Sequence, residues 1–462
     1  MPIRNSELGG LFMRIRNLPT LEATFAILTV TLFASSACAV TEKVLHDFTN
    51  GSGGAIPAGV ILDDSGNLYG TTFDGGGADS TGCSGSGCGT VFELTPKPGG
   101  GWTEKVLHSF SEKDPVGFNP SSGVILDASG NLYGTTSGGG LFGCGYGGTL
   151  CGTVFELTPK AGGAWTEKLL HSFKPDGKDG QNPRAGLIFD TSGNLYGTTW
   201  YGGSGSCFDG NGHGCGTVFE LTPRAGGGWT EKVLYSFNDS GKDGIAPGAS
   251  LIFDTSGNLY GTNFSGGVDG NGAVFELTRK PHGSWTEKIL HSFTNGNDSN
   301  NPTASLIFDT SGNLYGTSYY GPPQGYDGPC EDGTDLGCGT VFELSPKVSG
   351  GWTEKILHYF KSNGEDGYYP STGLIFDASG NLYSSTEYGG SKDDGTVFEL
   401  TPNVTGGWKE KVLYSFDYKD GLAPGALIFD AEGNLYGTTE YGGNGSCNIG
   451  NFGCGTVFEI KP

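Results

Sequence analysis

Asn67-Leu68-Tyr69-Gly70-Thr71-Thr72, then Gly89-Thr90-Val91-Phe92-Glu93-Leu94, then Trp102-Thr103-Glu104-Lys105 is the stretch that decides the fold, because it recurs. The asparagine returns at Asn131, Asn194, Asn258, Asn313, Asn381 and Asn434. The glutamate of the second run returns at Glu156, Glu220, Glu276, Glu343, Glu399 and Glu459. The lysine of the third returns at Lys168, Lys232, Lys288, Lys355 and Lys411, and Lys43 supplies a copy without the tryptophan. A repeat of this length is the signature of a stacked or radial architecture. Each unit reads as four short strands, exemplified by 59–63, 68–72, 90–95 and 102–110. They are rich in β-branched and aromatic residues and bounded by glycine, proline or asparagine.

No helical period of useful length appears beyond residue 40. Many even β units without helices predict an all-β fold, a seven-bladed β-propeller with four antiparallel strands per blade. The phase is readable at the ends. Residues 41–48 have fourth-strand sequence with no partners before them, and Gly455 to Ile460 have third-strand sequence with no fourth after them. The expectation is a propeller closed by the N-terminal strand, which would cover an otherwise bare edge. The blades are then 57–110, 120–173, 183–237, 247–293, 302–360, 370–416, and 424–462 with 41–48, within a single domain of 40–462.

Residues 1–39 read as a signal peptide. Arg14 and Arg16 precede an apolar run from Phe25 to Ala34, and Ala37-Cys38-Ala39 supplies the small-x-small end. That run, roughly ten residues, is too short for a membrane span. Cleavage after Ala39 is the reading. Lipidation of Cys38 is the alternative, and a start at Met13 would make 1–12 an over-called extension.

The chain has 462 residues, 87 of them glycine, and a formal charge of -23. Such a surface excludes nucleic acid and anionic membrane as partners. It suits a self-repelling, secreted or cell-surface protein, expected to be a monomer without an integral membrane segment.

Ten cysteines beyond the signal fall in adjacent pairs: Cys83 with Cys88, Cys144 with Cys151, Cys207 with Cys215, Cys330 with Cys338, and Cys447 with Cys454. Each pair sits in a long second-to-third connection. The two short connections, Phe264–Asn271 and Glu387–Asp394, hold none. Disulfide clips that reduce the entropy of long loops are the reading. Zinc, the rival, would need four ligands and a reducing compartment.

The aspartates that open the first turn, Asp63, Asp127, Asp190, Asp254, Asp309, Asp377 and Asp430, read as turn formers. Structural calcium is the alternative there. His46, His108, His171, His291 and His358 share one repeat position with Tyr235 and Tyr414. That exchange argues against a metal, and no metal ligand or catalytic residue is assigned. Glu93 is expected to face Lys105 across the third hairpin.

The run Asp190-Thr191-Ser192-Gly193-Asn194-Leu195-Tyr196-Gly197-Thr198-Thr199, followed by Gly216-Thr217-Val218-Phe219-Glu220-Leu221-Thr222-Pro223, resembles the GloVer (Gloeo/Verruco) tandem repeat of exported bacterial proteins. The likeness covers essentially 40–462 and implies no enzyme activity, cofactor or catalytic residue. The unit also resembles, more loosely, NHL-type propeller repeats.

A site is expected on the face carrying the fourth-to-first and second-to-third loops, which vary while the opposite turns repeat. The candidates are Phe142, Tyr146, Trp200, Tyr201, Phe208, Asp209, Tyr319, Tyr320, Tyr326, Asp327, Tyr368, Tyr369, Tyr388, Tyr441 and Phe452. Carboxylates lie among them, including Glu331, Asp332, Asp393 and Asp394. Aromatics beside carboxylates suit a neutral or cationic polar ligand. The functional expectation is a non-catalytic binding or structural protein at the cell exterior, with a glycan or a protein as partner. The alternative is an extracellular polysaccharide lyase or hydrolase using loop-face carboxylates and tyrosines.

Overall fold

The structure is a computed structural model describing residues 40–49, 51–77, 83–144, 151–207, 214–294, 298–321, 330, 336–445, 447 and 452–462. Residues 1–39, on which the signal-peptide and Cys38 readings rest, lie outside the described residues.

The third repeat shows how the sequence makes a blade. Its strands are Ile188–Phe189, Leu195–Thr199, Thr217–Pro223 and Trp229–Ser236, paired in that order and antiparallel. The first turn closes on Asp190. Its Oδ1 accepts the backbone N–H groups of Ser192 and Asn194, and its Oδ2 accepts the Asn194 amide and the Tyr196 hydroxyl. Tyr196 also donates to Glu220 Oε1 at 2.8 Å. The same turn forms at all seven aspartates, so both carboxylate oxygens are engaged as the turn reading requires. Gly197 lies under the Phe219 ring, whose tip is 2.6 Å from where a Cβ would stand.

The third hairpin has the register read from the sequence, with Glu93 opposite Lys105 and Thr95 opposite Thr103. The first strands do not have the expected length. In blades two to six they are two residues long, as at Ile125–Leu126. The reason is local. The residue before the repeat proline takes a positive φ in every blade: 54° at Asn119, 57° at Asn182 and Tyr369, 59° at Ile56. The following proline offers no N–H to a ladder, so in blades two to six pairing resumes only further along, and in blade one, where a strand spans the proline, the register shifts between Pro57 and Val60.

Blades meet face to face. Each neighbouring pair shares a buried cluster, including the pair of blade seven and blade one, where Leu45, Phe48, Tyr436 and Val457 pack against Val60, Leu68, Phe92 and Leu94. An edge-to-face phenylalanine pair crosses every seam, from Phe48–Phe92 at 5.1 Å to Phe416–Phe458 at 5.0 Å.

The expectation of a propeller closed by the N-terminal strand is corrected. The fold is a seven-bladed propeller of four-stranded blades, but no sheet closes on itself through hydrogen bonds; each blade is a separate sheet. Thr41–Asp47 pairs with Thr456–Lys461 as the outer strand of blade seven, and goes no further. Blades present faces, not edges, to one another, so seven meets one through side-chain packing and lone bonds such as Ile56 N–H to the Cys454 carbonyl at 2.9 Å.

Candidate functional site

Seven equivalent residues follow the second strand's last Asn/Ser/Thr position: Phe73, Ser137, Trp200, Phe264, Tyr319, Glu387 and Glu440. Their chemistry ranges over phenylalanine, serine, tryptophan, tyrosine and glutamate, whereas the strand before them repeats. Three of them reach the loop-face mouth of the central channel, a cavity of about 640 Å³ lined by all seven blades. Phe73, Glu387, Glu440 and Tyr441 line it together with Arg184.

The backbone holds this rim in place. The positive-φ residue of each blade donates its N–H to the preceding blade's residue just before the third-strand glycine. In five seams that acceptor is a clip cysteine: Asn119 to Cys88, Asn182 to Cys151, Ala246 to Cys215, Tyr369 to Cys338 and Ile56 to Cys454, all at 2.8–2.9 Å. The carbonyl of the same residue then receives the rim N–H, as Asn182 does from Trp200 and Tyr369 from Glu387, each at 3.1 Å. Asn119, Asn182 and Asn301 add a side-chain bond to the preceding rim carbonyl, at 2.7, 2.9 and 2.8 Å. The rim is therefore rigid where strain is concentrated.

Glu387 and Glu440, in blades six and seven, form the acidic arc. Burial, reinforced by the Glu440 charge, holds Glu387 above the ordinary carboxyl range, and hydrogen bonds from Tyr319 and Tyr388 partly offset this. Burial likewise raises Glu440, offset by Tyr441. The phenols are driven upward by burial and these carboxylates, Tyr388 to about 12, and so remain donors at neutral pH. In blade three, across the ring, the Arg184 guanidinium lies 4.5 Å over the Trp200 ring and Nε donates to Asn182 Oδ1 at 2.7 Å.

The sequence candidates divide. Tyr441 lines the cavity, Tyr319 and Tyr388 donate to the lining Glu387, and Trp200 lies under the guanidinium of the lining Arg184. Tyr320, Tyr368 and Tyr369 pack around Tyr319 and Tyr388, with Tyr319 stacked on Tyr369 at 4.7 Å and Tyr368 on Tyr388 at 5.6 Å. Tyr368 and Tyr369 are buried. Tyr201 pairs with Gln181 in a short ribbon. Phe452 is exposed and packs 6.0 Å from Tyr441, and Phe142 is exposed beside its clip. Tyr146, Phe208, Asp209, Tyr326 and Asp327 lie outside the described residues, as do Glu331 and Asp332. Asp393 and Asp394 bind loop backbone, at Gly389 and Tyr418. Glu387, Glu440 and Arg184 escaped notice, although each breaks the repeat at its own position.

A second constellation lies in the seams. His171 Nε2 is 3.0 Å from Asp179, His291 is 3.3 Å from Asp298 and 3.8 Å from Glu354, and His358 is 3.1 Å from Asp366. The following blade contributes a glutamate of the Trp-Thr-Glu-Lys run. His171–Asp179–Glu231, His291–Asp298–Glu354 and His358–Asp366–Glu410 each bring three donor atoms within 4.8 Å, sets that can hold a metal ion such as calcium. Tyr235 and Tyr414 replace the histidine beside Asp243 and Asp420. The sequence argument from those tyrosines missed that the aspartate and the next blade's glutamate converge on the same point. Burial pushes Glu42, Glu231, Glu287 and Glu410 up to about 7, and Glu354 upward as well. In each of these the Oε1 is buried without a hydrogen-bond partner among the described residues.

All five cysteine pairs are disulfides, closing separations of 5 to 8 residues. Five disulfides fit an oxidising, extracellular compartment. Among the described residues no helix is long and apolar enough to cross a membrane.

The repeat described as Gloeobacter/Verrucomicrobia matches residues 26–207, 147–329 and 326–462. The chain belongs to that repeat family. No curated protein matches this Gloeobacter/Verrucomicrobia repeat chain. Solved structures similar to it include a protein of unknown function from Dyadobacter fermentans, at 12% identity over 92% of this chain and 100% of that one, TM-score 0.43. PorZ, a surface component of the type-IX secretion system of Porphyromonas gingivalis, is 14% identical over 87% of this chain and 46% of its own, TM-score 0.46. A glucose dehydrogenase-like oxidoreductase from a Thermus species is 13% identical over 92% and 100%, TM-score 0.39.

Proposed function

We propose that this protein is an exported, non-catalytic binding propeller that takes a small polar ligand at the loop-face mouth of its channel. The observation that carries this reading is the rim itself. Repetition keeps most polar positions alike, and a ligand site needs a place where the blades differ. Here aromatic, acidic and cationic side chains converge on one cavity, on a backbone fixed by seam bonds and clips. The five disulfides support export.

The hydrolase or lyase alternative draws on the same two carboxyls. Glycoside hydrolysis needs one carboxyl protonated and its partner ionised. Glu387 and Glu440 are both displaced upward by burial, so neither is marked out as the acid or as the base. The test is a ligand screen by intrinsic fluorescence, run beside assays for new reducing or unsaturated ends. Saturable binding lost in Trp200→Ala, without product, supports the proposal. Product formation abolished by Glu387→Gln would establish the enzyme.

A further inference from the structure

Which ligand the mouth takes follows from its charge layout, and this step rests on the mouth being the binding site. Glu387 and Glu440 lie side by side in adjacent blades and both line the cavity. Among the described residues the one cation lining the same cavity, Arg184, stands in blade three, the far side of a seven-membered ring, engaged with Trp200 and Asn182. The two carboxyls thus share a half-buried place with no protein counter-charge beside them among the described residues. The tyrosines there, Tyr319, Tyr388 and Tyr441, donate to them but carry no charge. Asp393, the nearby acid in this arc, adds negative potential. Two acids held by phenols, beside the Tyr441 ring and far from Arg184, are complementary to an ammonium group, which the carboxylates neutralise and the ring face attracts.

We infer that the mouth binds an organic amine, its ammonium seated between Glu387 and Glu440 and walled by Tyr441. The body of the ligand lies over the channel toward Arg184 and Trp200. A polar or anionic substituent on it would be met by the guanidinium.

Proton linkage gives the reading a second signature. A seated ammonium favours ionised carboxylates, so binding must release protons where the free site holds them. Affinity should rise with pH until the amine itself loses its charge.

The experiment is isothermal titration of the disulfide-intact protein with three probes: glucosamine, its neutral isostere glucose, and tetramethylammonium. Glucosamine and tetramethylammonium should bind, with glucose at least about tenfold weaker, the scale of one lost charge-assisted contact. Glu387→Gln and Glu440→Gln should each cost about tenfold for the cations and leave the melting temperature within a degree or two. Heats measured in two buffers of different ionisation enthalpy should reveal proton release. Equal binding of glucose and glucosamine, or affinity unchanged in both Gln variants, would overturn the amine assignment while leaving the mouth as a site. Failure of both cations to bind at millimolar concentration would overturn it as well. If Trp200→Ala also leaves every ligand from the broader screen unaffected, the mouth reading itself falls.

Discussion

Truncating Phe48 isolates what the seam between the last and first blades is worth. Its ring is 1% exposed, edge-on to Phe92 at 5.1 Å and to His46 at 4.7 Å. It belongs to the cluster in which Leu45 and Val457 of blade seven meet Leu68 and Leu94 of blade one. Its backbone N–H bonds the Gly455 carbonyl at 3.1 Å, and alanine would keep that bond. Phe48→Ala therefore removes packing alone. A phenylalanine deleted from a closed core costs about 3–5 kcal/mol, of which the edge-to-face pair supplies about 0.5–1.5. Phe237, which meets Phe275 at 5.1 Å in the seam between blades three and four, is the reference. Urea unfolding followed by tryptophan fluorescence should give the two variants the same loss within about 1 kcal/mol. A loss below about 1 kcal/mol for Phe48→Ala, with the full loss for Phe237→Ala, would refute the claim that the seven seams are equivalent.

The seam glutamates set a pH dependence. Glu231, Glu287 and Glu410 rise from 4.5 to about 7 on folding. The folded chain thus holds more protons between those values, and stability must fall as pH climbs through that window. Glu231→Gln should leave the unfolding free energy unchanged at pH 4.5 and raise it at pH 8 by about 1 kcal/mol after discounting for solvent screening, read by urea unfolding. Replacing Cys207 and Cys215 by serine should cost roughly 2–3 kcal/mol by loop entropy and loosen the rim near Ala246, read as faster amide exchange there. Asn263 is fully buried with both amide atoms unpartnered among the described residues, opposite Ala273, where the other blades pair hydroxyls. Restoring the hydroxyl pair with Asn263→Thr and Ala273→Thr should stabilise by about 1–3 kcal/mol; an unchanged or lower melting temperature would contradict the cost assigned to that amide.

Sequence alone determined what depends on near neighbours in the chain. The Asp-x-x-Gly-Asn turn, the Glu93–Lys105 register and the clips all join residues within one repeat, so spacing was enough to read them. It also carried the blade count and the outer position of residues 41–48, because a repeat states its own phase. What spacing could not carry was anything assembled across a seam. Whether seven blades join through strand edges or through faces depends on how sheets stack, and the phenylalanine pairs settled that in favour of faces. His171, Asp179 and Glu231 are unremarkable apart in the chain and meet only because the next blade turns its outer strand toward them. Glu387 and Glu440 are single departures from a repeat, separated by a whole blade. Only the ring brings them to one mouth, where burial gives two ordinary carboxyls a shared chemistry.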